Sequence, residues 1–188
     1  ESGTLPMIDP SNGGEFARIA RGAAPDIDRA VAAARSALEG SWGRLSSVER
    51  GRLLARMSAA ILAAREGLAL IEARDTGKPL SQAEGDIIAC ARYFEYYAGA
   101  CDKVLGQTIP IANGYTAMTG RERHGVTGHI IAWNAPAQMF ARTLAPALAM
   151  GNAAVIKPAE DACLSVLRLG QIALEVGYGL VFCVDCLD

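Results

Sequence analysis

Residues 125–188 alternate between strand and helix patterns, and this alternation constrains the fold more than any other feature of the sequence. Short apolar runs predict three strands, over 125–133, 153–157 and 180–184. Apolar residues at helical spacing predict two helices between them, over 137–149 and 164–176. The β-α-β-α-β order predicts a parallel, doubly wound, Rossmann-like sheet, because crossover connections between parallel strands are right-handed.

The first half of the chain predicts helices instead. Ser46 with Glu49 forms a capping-box pattern before an amphipathic run, and Ser81 with Glu84 repeats that pattern. Between the two, the segment 75–79 (Asp-Thr-Gly-Lys-Pro) predicts the end of one helix and the approach to the next. The predicted fold class is therefore α/β, with N-terminal helices added to a parallel sheet.

A β-hairpin is predicted between these two halves. Strand patterns over 108–112 and 115–119 flank Asn113-Gly114, which is the strongest short hairpin signal because both residues tolerate positive φ. Pro110 in the first arm indicates a strand at an edge.

Composition excludes several classes of function. The chain has 18 Lys+Arg and 20 Asp+Glu residues, so neither a nucleic-acid partner nor an anionic membrane surface is expected. No apolar stretch reaches the ~20 residues of a membrane span. Five cysteines form an odd number without a scaffold-like spacing, which favours reduced thiols and a cytoplasmic protein.

Asn134 is the first candidate functional residue, because it follows the strand that ends near Trp133. Ligands of open parallel sheets bind beyond the carboxyl ends of the strands. A side-chain amide held there, two residues before Pro136, could stabilise a developing oxyanion. The alternative is that Asn134 only caps the helix that follows.

Lys157 and Glu160 follow the second strand and are expected on the same side of the sheet. This pair could hydrogen-bond the hydroxyls of a ribose. The alternative is a solvated loop with an incidental salt bridge. The residues themselves do not decide between the two.

An ordered set of motifs resembles the aldehyde dehydrogenase family. The set comprises Gly125 to Pro136 (GVTGHIIAWNAP), Pro146 to Ala149 with Gly151-Asn152, and Lys157-Pro158-Ala159-Glu160, preceded by Ile8 to Gly13, Asp26 to Arg35, Glu49 to Arg52, Asp75 to Pro79 and Ala98-Gly99 before Gly106. Each motif is weak alone, but their order and spacing over residues 7–177 are highly specific. The resemblance implies NAD(P)-dependent oxidation of an aldehyde to a carboxylic acid, through a thiohemiacetal on a cysteine.

The resemblance also implies individual roles. Asn134 matches the oxyanion-hole asparagine, and Lys157 and Glu160 match the residues that hold the adenosine ribose. Ile130, Ile131 and Trp133 match the backbone stretch that lines the cofactor cleft. NAD is favoured over NADP, because the Glu160 carboxylate accepts from a free 2′-hydroxyl and repels a 2′-phosphate.

The resemblance also implies a division of the chain into three parts. Residues 1–105 and 125–188 are expected to form the helical part and the first sheet portion of the coenzyme-binding domain. Residues 106–124 are expected to form a hairpin arm that packs between subunits of a homo-oligomer, either a dimer or a tetramer. The catalytic domain, with its Gly-Gln-x-Cys and Glu-Leu-Gly-Gly contexts, is not found in the sequence.

Other functions remain open from the sequence. The 188 residues are expected to be inactive alone, and a non-catalytic nucleotide-binding or assembly fragment is the alternative. A flavodoxin-like protein would explain the strand and helix order but not the motifs. Cys183 and Cys186 have C-x-x-C spacing, yet a zinc site would need two more ligands, so no metal is expected.

Overall fold

The computed structural model describes residues 3–178 and the backbone of residues 182–184. Within that part of the chain the helices are α1 (Ala24–Glu39), α2 (Ser41–Arg44), α3 (Ser47–Ala63), α4 (Arg65–Thr76), α5 (Leu80–Ala100), α6 (Pro136–Ala149) and α7 (Leu164–Glu175). The strands are β1 (Thr4–Ile8), β2 (Glu15–Ala20), β3 (Thr108–Ile109), β4 (Ala117–Met118), β5 (Val126–Ile131), β6 (Ala153–Pro158) and β7 (Phe182–Val184).

The parallel sheet confirms the predicted fold class. Its strand order is β5-β6-β7, and both pairs of strands are parallel. Val126 pairs with Ala153 at one end of the β5–β6 ladder and Ile131 with Pro158 at the other. The carboxyl ends of β5 and β6 therefore lie side by side, and the segments after them leave the sheet together.

Helices cover both faces of β6. Ala153 and Val155 pack with Ala30 and Ala34 of α1, whereas the alternate residues of β6 face the main core. That core is built from α3, α4, α5, α6 and α7, with Phe94 and Phe140 at 6.2 Å between ring centroids. Successive side chains of a strand point to opposite faces, so β6 is buried on both sides, as expected of a central strand in a doubly wound fold.

An N-terminal hairpin was not predicted from the sequence. Strands β1 and β2 pair antiparallel, from Thr4 with Ala20 to Ile8 with Glu15. The turn between them contains Asn12-Gly13, with Gly13 at φ +71. The same Asn-Gly signal that predicts a hairpin at residues 113–114 therefore also occurs here.

Two local predictions require correction. The Ser81–Glu84 pattern does not cap a helix, because α5 begins at Leu80, its N-cap is Pro79, and no side chain caps it. The strands of the predicted central hairpin are shorter than expected, since only Thr108–Ile109 and Ala117–Met118 pair. Pro110 has no N–H to donate, and the ladder stops before it.

The predicted third strand lies partly outside the described residues. Its backbone is described over Phe182–Val184, whereas residues 180 and 181 and the C-x-x-C residue Cys186 are not. Within residues 3–178 and 182–184, no helix combines the length and the apolar character that crossing a bilayer requires.

Candidate active site

Asn134 lies in the turn after β5, and its side chain has no hydrogen-bond partner among the described residues. Ala135, not Asn134, is the N-cap of α6, and the side chain of this N-cap residue forms no cap hydrogen bond. Asn134 is exposed, and its amide forms no hydrogen bond with any residue that the structure describes. The interpretation of Asn134 as a helix cap is therefore wrong. Its amide is available for a ligand.

The other residues predicted on this segment differ in exposure. Trp133 is 59% exposed and Ile130 is 85% exposed, so both can meet a bound molecule. Ile131 is 1% exposed and packs in the main core. Only the backbone of Ile131 can contribute to a cleft.

Lys157 and Glu160 form an ion pair at the end of β6. The Lys157 ammonium donates to Glu160 Oε2, and this hydrogen bond, together with a backbone hydrogen bond, lowers the pKa of the Glu160 carboxyl. Glu160 is thus anionic at neutral pH. It keeps a second oxygen that can accept from a ligand hydroxyl.

An open cleft of about 400 Å³ lies beside these two strand ends. It is lined by Pro6, Ile8, Pro10, Asp75, Thr76, Trp133, Glu160, Asp161 and Ala162. The structure thus brings Trp133 and Glu160 to one cleft, whereas Ile130, Asn134 and Lys157 lie outside its lining. The N-terminal hairpin and the end of α4 form the opposite wall.

Glu72 on α4 holds the N-terminus of α6. This role of Glu72 was not predicted from the sequence. Its side chain is 0% exposed. Glu72 Oε2 accepts a hydrogen bond from the Ala137 amide at 3.3 Å, and Oε1 accepts one from Lys78 Nζ at 3.1 Å. Lys78 Nζ also donates to Asp86 Oδ2 at 2.6 Å. A buried carboxylate is thereby paired with a cation and with the positive end of a helix.

Asp75, also on α4, holds the N-terminus of α7 in the same way. Its Oδ2 accepts from the Leu164 amide at 2.8 Å, in the first turn of the helix. Burial raises the pKa of the Asp75 carboxyl to about 6, although the hydrogen bond from Leu164 acts in the opposite direction. The helix α4 therefore supplies a capping carboxylate to each of the two helices that follow β5 and β6.

A sequence signal for these two caps exists. Leu68, Ala69, Glu72 and Asp75 are all buried, and they lie on one face of α4 at helical spacing. Carboxylates on the apolar face of a helix need partners, because burying an unpaired charge is costly. The pattern indicates buried partners, but it cannot name them, since Ala137 is 65 positions from Glu72.

The cysteines whose side chains the structure describes are buried and form no disulfide. They are Cys90, Cys101 and Cys163. Burial raises the pKa of the Cys90 and Cys101 thiols, which disfavours the thiolate that a nucleophile requires. Among the residues with described side chains, no group of three or more His, Cys, Asp or Glu is arranged to hold a metal ion.

Residues 1–180 match the model of the aldehyde dehydrogenase family. The chain is 45% identical over 176 residues to aldehyde dehydrogenase family 2 member B4, mitochondrial, of Arabidopsis thaliana, covering 93% of this chain and 33% of the relative. It is 42% identical over 182 residues to human retinal dehydrogenase 2, covering 95% and 35% respectively.

Solved structures agree with the sequence matches. The NAD+ complex of an aldehyde dehydrogenase from Bacillus cereus superposes with a TM-score of 0.97 at 38% identity, over 99% of this chain and 38% of that one. A Burkholderia cenocepacia protein assigned as an aldehyde dehydrogenase superposes with a TM-score of 0.97 at 58% identity, over 98% and 39%. The chain spans about a third of the length of the curated relatives it matches.

Proposed function

Because the chain belongs to the aldehyde dehydrogenase family, we propose that it supplies the oxyanion donor and part of the cofactor cleft of an enzyme that oxidises an aldehyde to a carboxylic acid with NAD. The observation that carries this proposal is the uncommitted Asn134 amide at the carboxyl end of β5. In the proposed domain division, residues 1–105 and 125–188 belong to the coenzyme-binding domain.

Asn134 would act on the aldehyde oxygen. When a thiolate attacks the carbonyl carbon, the oxygen gains negative charge, and the Asn134 amide donates a hydrogen bond to it. A donor held in advance at that position costs no reorganisation during the reaction, and removal of such a donor lowers kcat by about 10²–10³-fold. The thiolate must come from outside the described cysteines, because Cys90, Cys101 and Cys163 are buried.

Lys157, Glu160 and Trp133 would hold the cofactor. The free oxygen of Glu160 accepts from a ribose hydroxyl, Lys157 keeps that carboxylate ionised, and the exposed Trp133 lines the same cleft as Glu160. Bound NAD supplies the hydride acceptor. The negative charge of Glu160 favours NAD over NADP, and NAD+ is the cofactor in the complex of the Bacillus cereus relative.

The experiment replaces Asn134 in the protein expressed from its complete gene. We expect Asn134→Ala to lower kcat by about 10²–10³-fold with propanal or benzaldehyde, while the Kd of NAD by calorimetry changes little. The matched control is Gln82→Ala, which removes an exposed side-chain amide from α5. An Asn134→Ala enzyme with unchanged kcat would contradict the proposed role. Wild-type protein that binds NAD without aldehyde-dependent NADH formation would favour the alternative, a non-catalytic nucleotide-binding or assembly fragment.

We also propose that residues 106–124 form an arm that packs between subunits of a homo-oligomer. Its large apolar side chains are unusually exposed, with Tyr115 at 76% and Met118 at 74%. Exposed apolar groups of this kind mark protein contacts. Met118→Asp should shift the mass in analytical ultracentrifugation toward the monomer, and an unchanged mass would contradict the proposed arm.

A cytoplasmic location is proposed because the described cysteine side chains are not joined in disulfides. Cys90, Cys101 and Cys163 form no disulfide, which suits a reducing compartment. Cell fractionation should recover the protein with cytoplasmic markers, and recovery with an organelle would contradict this proposal.

A further inference from the structure

The residues next to Asn134 provide few hydrogen bonds that could fix the turn in which it lies. Ala135, the N-cap of α6, has no side-chain acceptor, and Pro136 has no N–H. Ala137 therefore bears the first N–H within α6. The first turn of a helix leaves such groups without partners inside the helix, so the position of this turn depends on an acceptor from elsewhere.

Glu72 is that acceptor. Its Oε2 lies 3.3 Å from the Ala137 nitrogen, three residues after Asn134. The contact is buried, so water does not compete for it. A change in the position of Glu72 would therefore move the turn, and with it the Asn134 amide.

Lys78 fixes Glu72 in turn. The side chain of Lys78 is 7% exposed, and its ammonium donates to Glu72 Oε1 at 3.1 Å and to Asp86 Oδ2 on α5 at 2.6 Å. Lys78 stands directly after Gly77, the C-cap of α4, which has φ +74. The cation thus bridges carboxylates of two helices, and each oxygen of the Glu72 carboxylate has a hydrogen-bond donor.

We propose that Glu72, locked by Lys78, is a positioning residue that sets the place of the Asn134 amide. This inference rests on the proposed oxyanion role of Asn134. Glu72 itself is buried and touches no ligand position, so it acts through the turn alone. Misplacement of a reacting group by about 1 Å lowers an enzymatic rate by as much as about 10²-fold.

Glu72→Gln tests the proposal with little change in volume. The Ala137 amide and the Lys78 ammonium donate to different oxygens of Glu72, and glutamine has an NH2 group, which cannot accept, at one of these two positions. One of the two hydrogen bonds is therefore lost. Glu66→Gln is the matched control, since Glu66 lies on the same helix and is exposed. If Glu72→Gln does not fold, Lys78→Met replaces it, because it releases the same carboxylate.

The first measurement is hydrogen exchange by mass spectrometry, which needs no substrate. We expect faster exchange in the peptide over 133–140 in Glu72→Gln, with α3 unchanged, and no change in Glu66→Gln. Uniformly faster exchange throughout the helices would overturn the proposal, because it would assign Glu72 a general stabilising role. Unchanged exchange at 133–140 would also overturn it.

The second measurement is a double-mutant cycle in the protein expressed from its complete gene, with propanal, benzaldehyde and NAD. We expect Glu72→Gln to lower kcat by about 10- to 100-fold in the wild-type background and by less than about 2-fold in Asn134→Ala. An equal loss in both backgrounds would overturn the positioning role. An Asn134→Ala enzyme with normal kcat would instead contradict the proposed function, so the two failures are distinguishable.

Discussion

Arg50 and Ala149 are 99 positions apart, and Arg50 Nε donates a hydrogen bond to the Ala149 carbonyl oxygen at 3.1 Å. Arg50 Nη1 also donates to the Leu45 carbonyl oxygen at 2.7 Å. Ala149 is the last residue of α6, whose first turn is held by Glu72. A cation at the C-terminus and an anion at the N-terminus each stabilise a helix by a favourable interaction with its dipole.

Arg50→Lys should therefore destabilise the protein although it preserves the charge. A lysine cannot donate in two directions from a planar group, so one of the two carbonyl contacts is lost. We expect the free energy of unfolding in urea to fall by roughly 1–2 kcal/mol. Arg52→Lys, at an exposed position of the same helix, should change it by less than about 0.5 kcal/mol, and equal effects at both positions would contradict this account.

Ser46→Ala and Ser81→Ala should have different effects, although both serines stand in an S-x-x-E pattern. Ser46 Oγ accepts from the Glu49 amide, and the Glu49 carboxylate accepts from the Ser46 amide at 2.8 Å. Ser81 lies within the first turn of α5 without a cap hydrogen bond. Thermal or urea unfolding should show a loss of about 1 kcal/mol for Ser46→Ala and none for Ser81→Ala. A loss at Ser81 would show that the pattern alone confers the stability.

Asp75→Asn should stabilise the protein at neutral pH. The folded-state pKa of Asp75 is about 6 against an ordinary value of 3.8, so between these values the unfolded chain releases its proton first. Stability therefore falls as pH rises from about 4 to 6, by up to about 3 kcal/mol. Asparagine keeps an acceptor for the Leu164 amide and removes the charge.

The measurement compares urea unfolding of Asp75→Asn with wild type at pH 4 and pH 7.5. The gain should be present at pH 7.5 and absent at pH 4. Asp28→Asn, at an exposed position of α1, is the control and should show no such difference. A gain of equal size at both pH values would mean that ionisation of Asp75 is not its cause.

Gly51→Ala and Gly67→Ala should change stability in opposite directions. A Cβ at Gly51 would lie 2.7 Å from the Ala98 carbonyl oxygen, where α3 packs closely on α5. A Cβ at Gly67 in α4 would meet nothing within 4 Å. We expect a loss of about 1–3 kcal/mol at Gly51 from overpacking and a gain of about 0.5–1 kcal/mol at Gly67 from helix propensity. Calorimetric unfolding would contradict this if both variants shifted Tm the same way.

Local patterns predicted those features whose causes are local. The β-α-β-α-β order, the Ser46 cap and the end of α4 at Gly77 each depend on residues a few positions apart, and the structure confirms them. The pattern at Ser81 failed because Pro79, two residues earlier, is already the N-cap of α5. A short pattern cannot show where a helix has already begun.

The candidate site was predicted only in part for a related reason. The position of Asn134 and the Lys157–Glu160 pair follow from strand ends, which the sequence reveals. Glu72 and Asp75 act on amides 65 and 89 positions away. Such partners are set by tertiary packing, which no local pattern contains.

The exposed arm separates the residues that hold α6 from α6 itself. Glu72 and Arg50 precede residue 106, whereas the helix whose two ends they hold follows residue 124. During synthesis, Glu72 and Arg50 therefore leave the ribosome before α6 does. In the folded chain these two charged side chains contact opposite ends of α6. If the chain were divided within the arm, one polypeptide would carry Glu72 and Arg50 and the other would carry α6. The hydrogen bonds at the two ends of α6 would then favour reassembly of the two polypeptides.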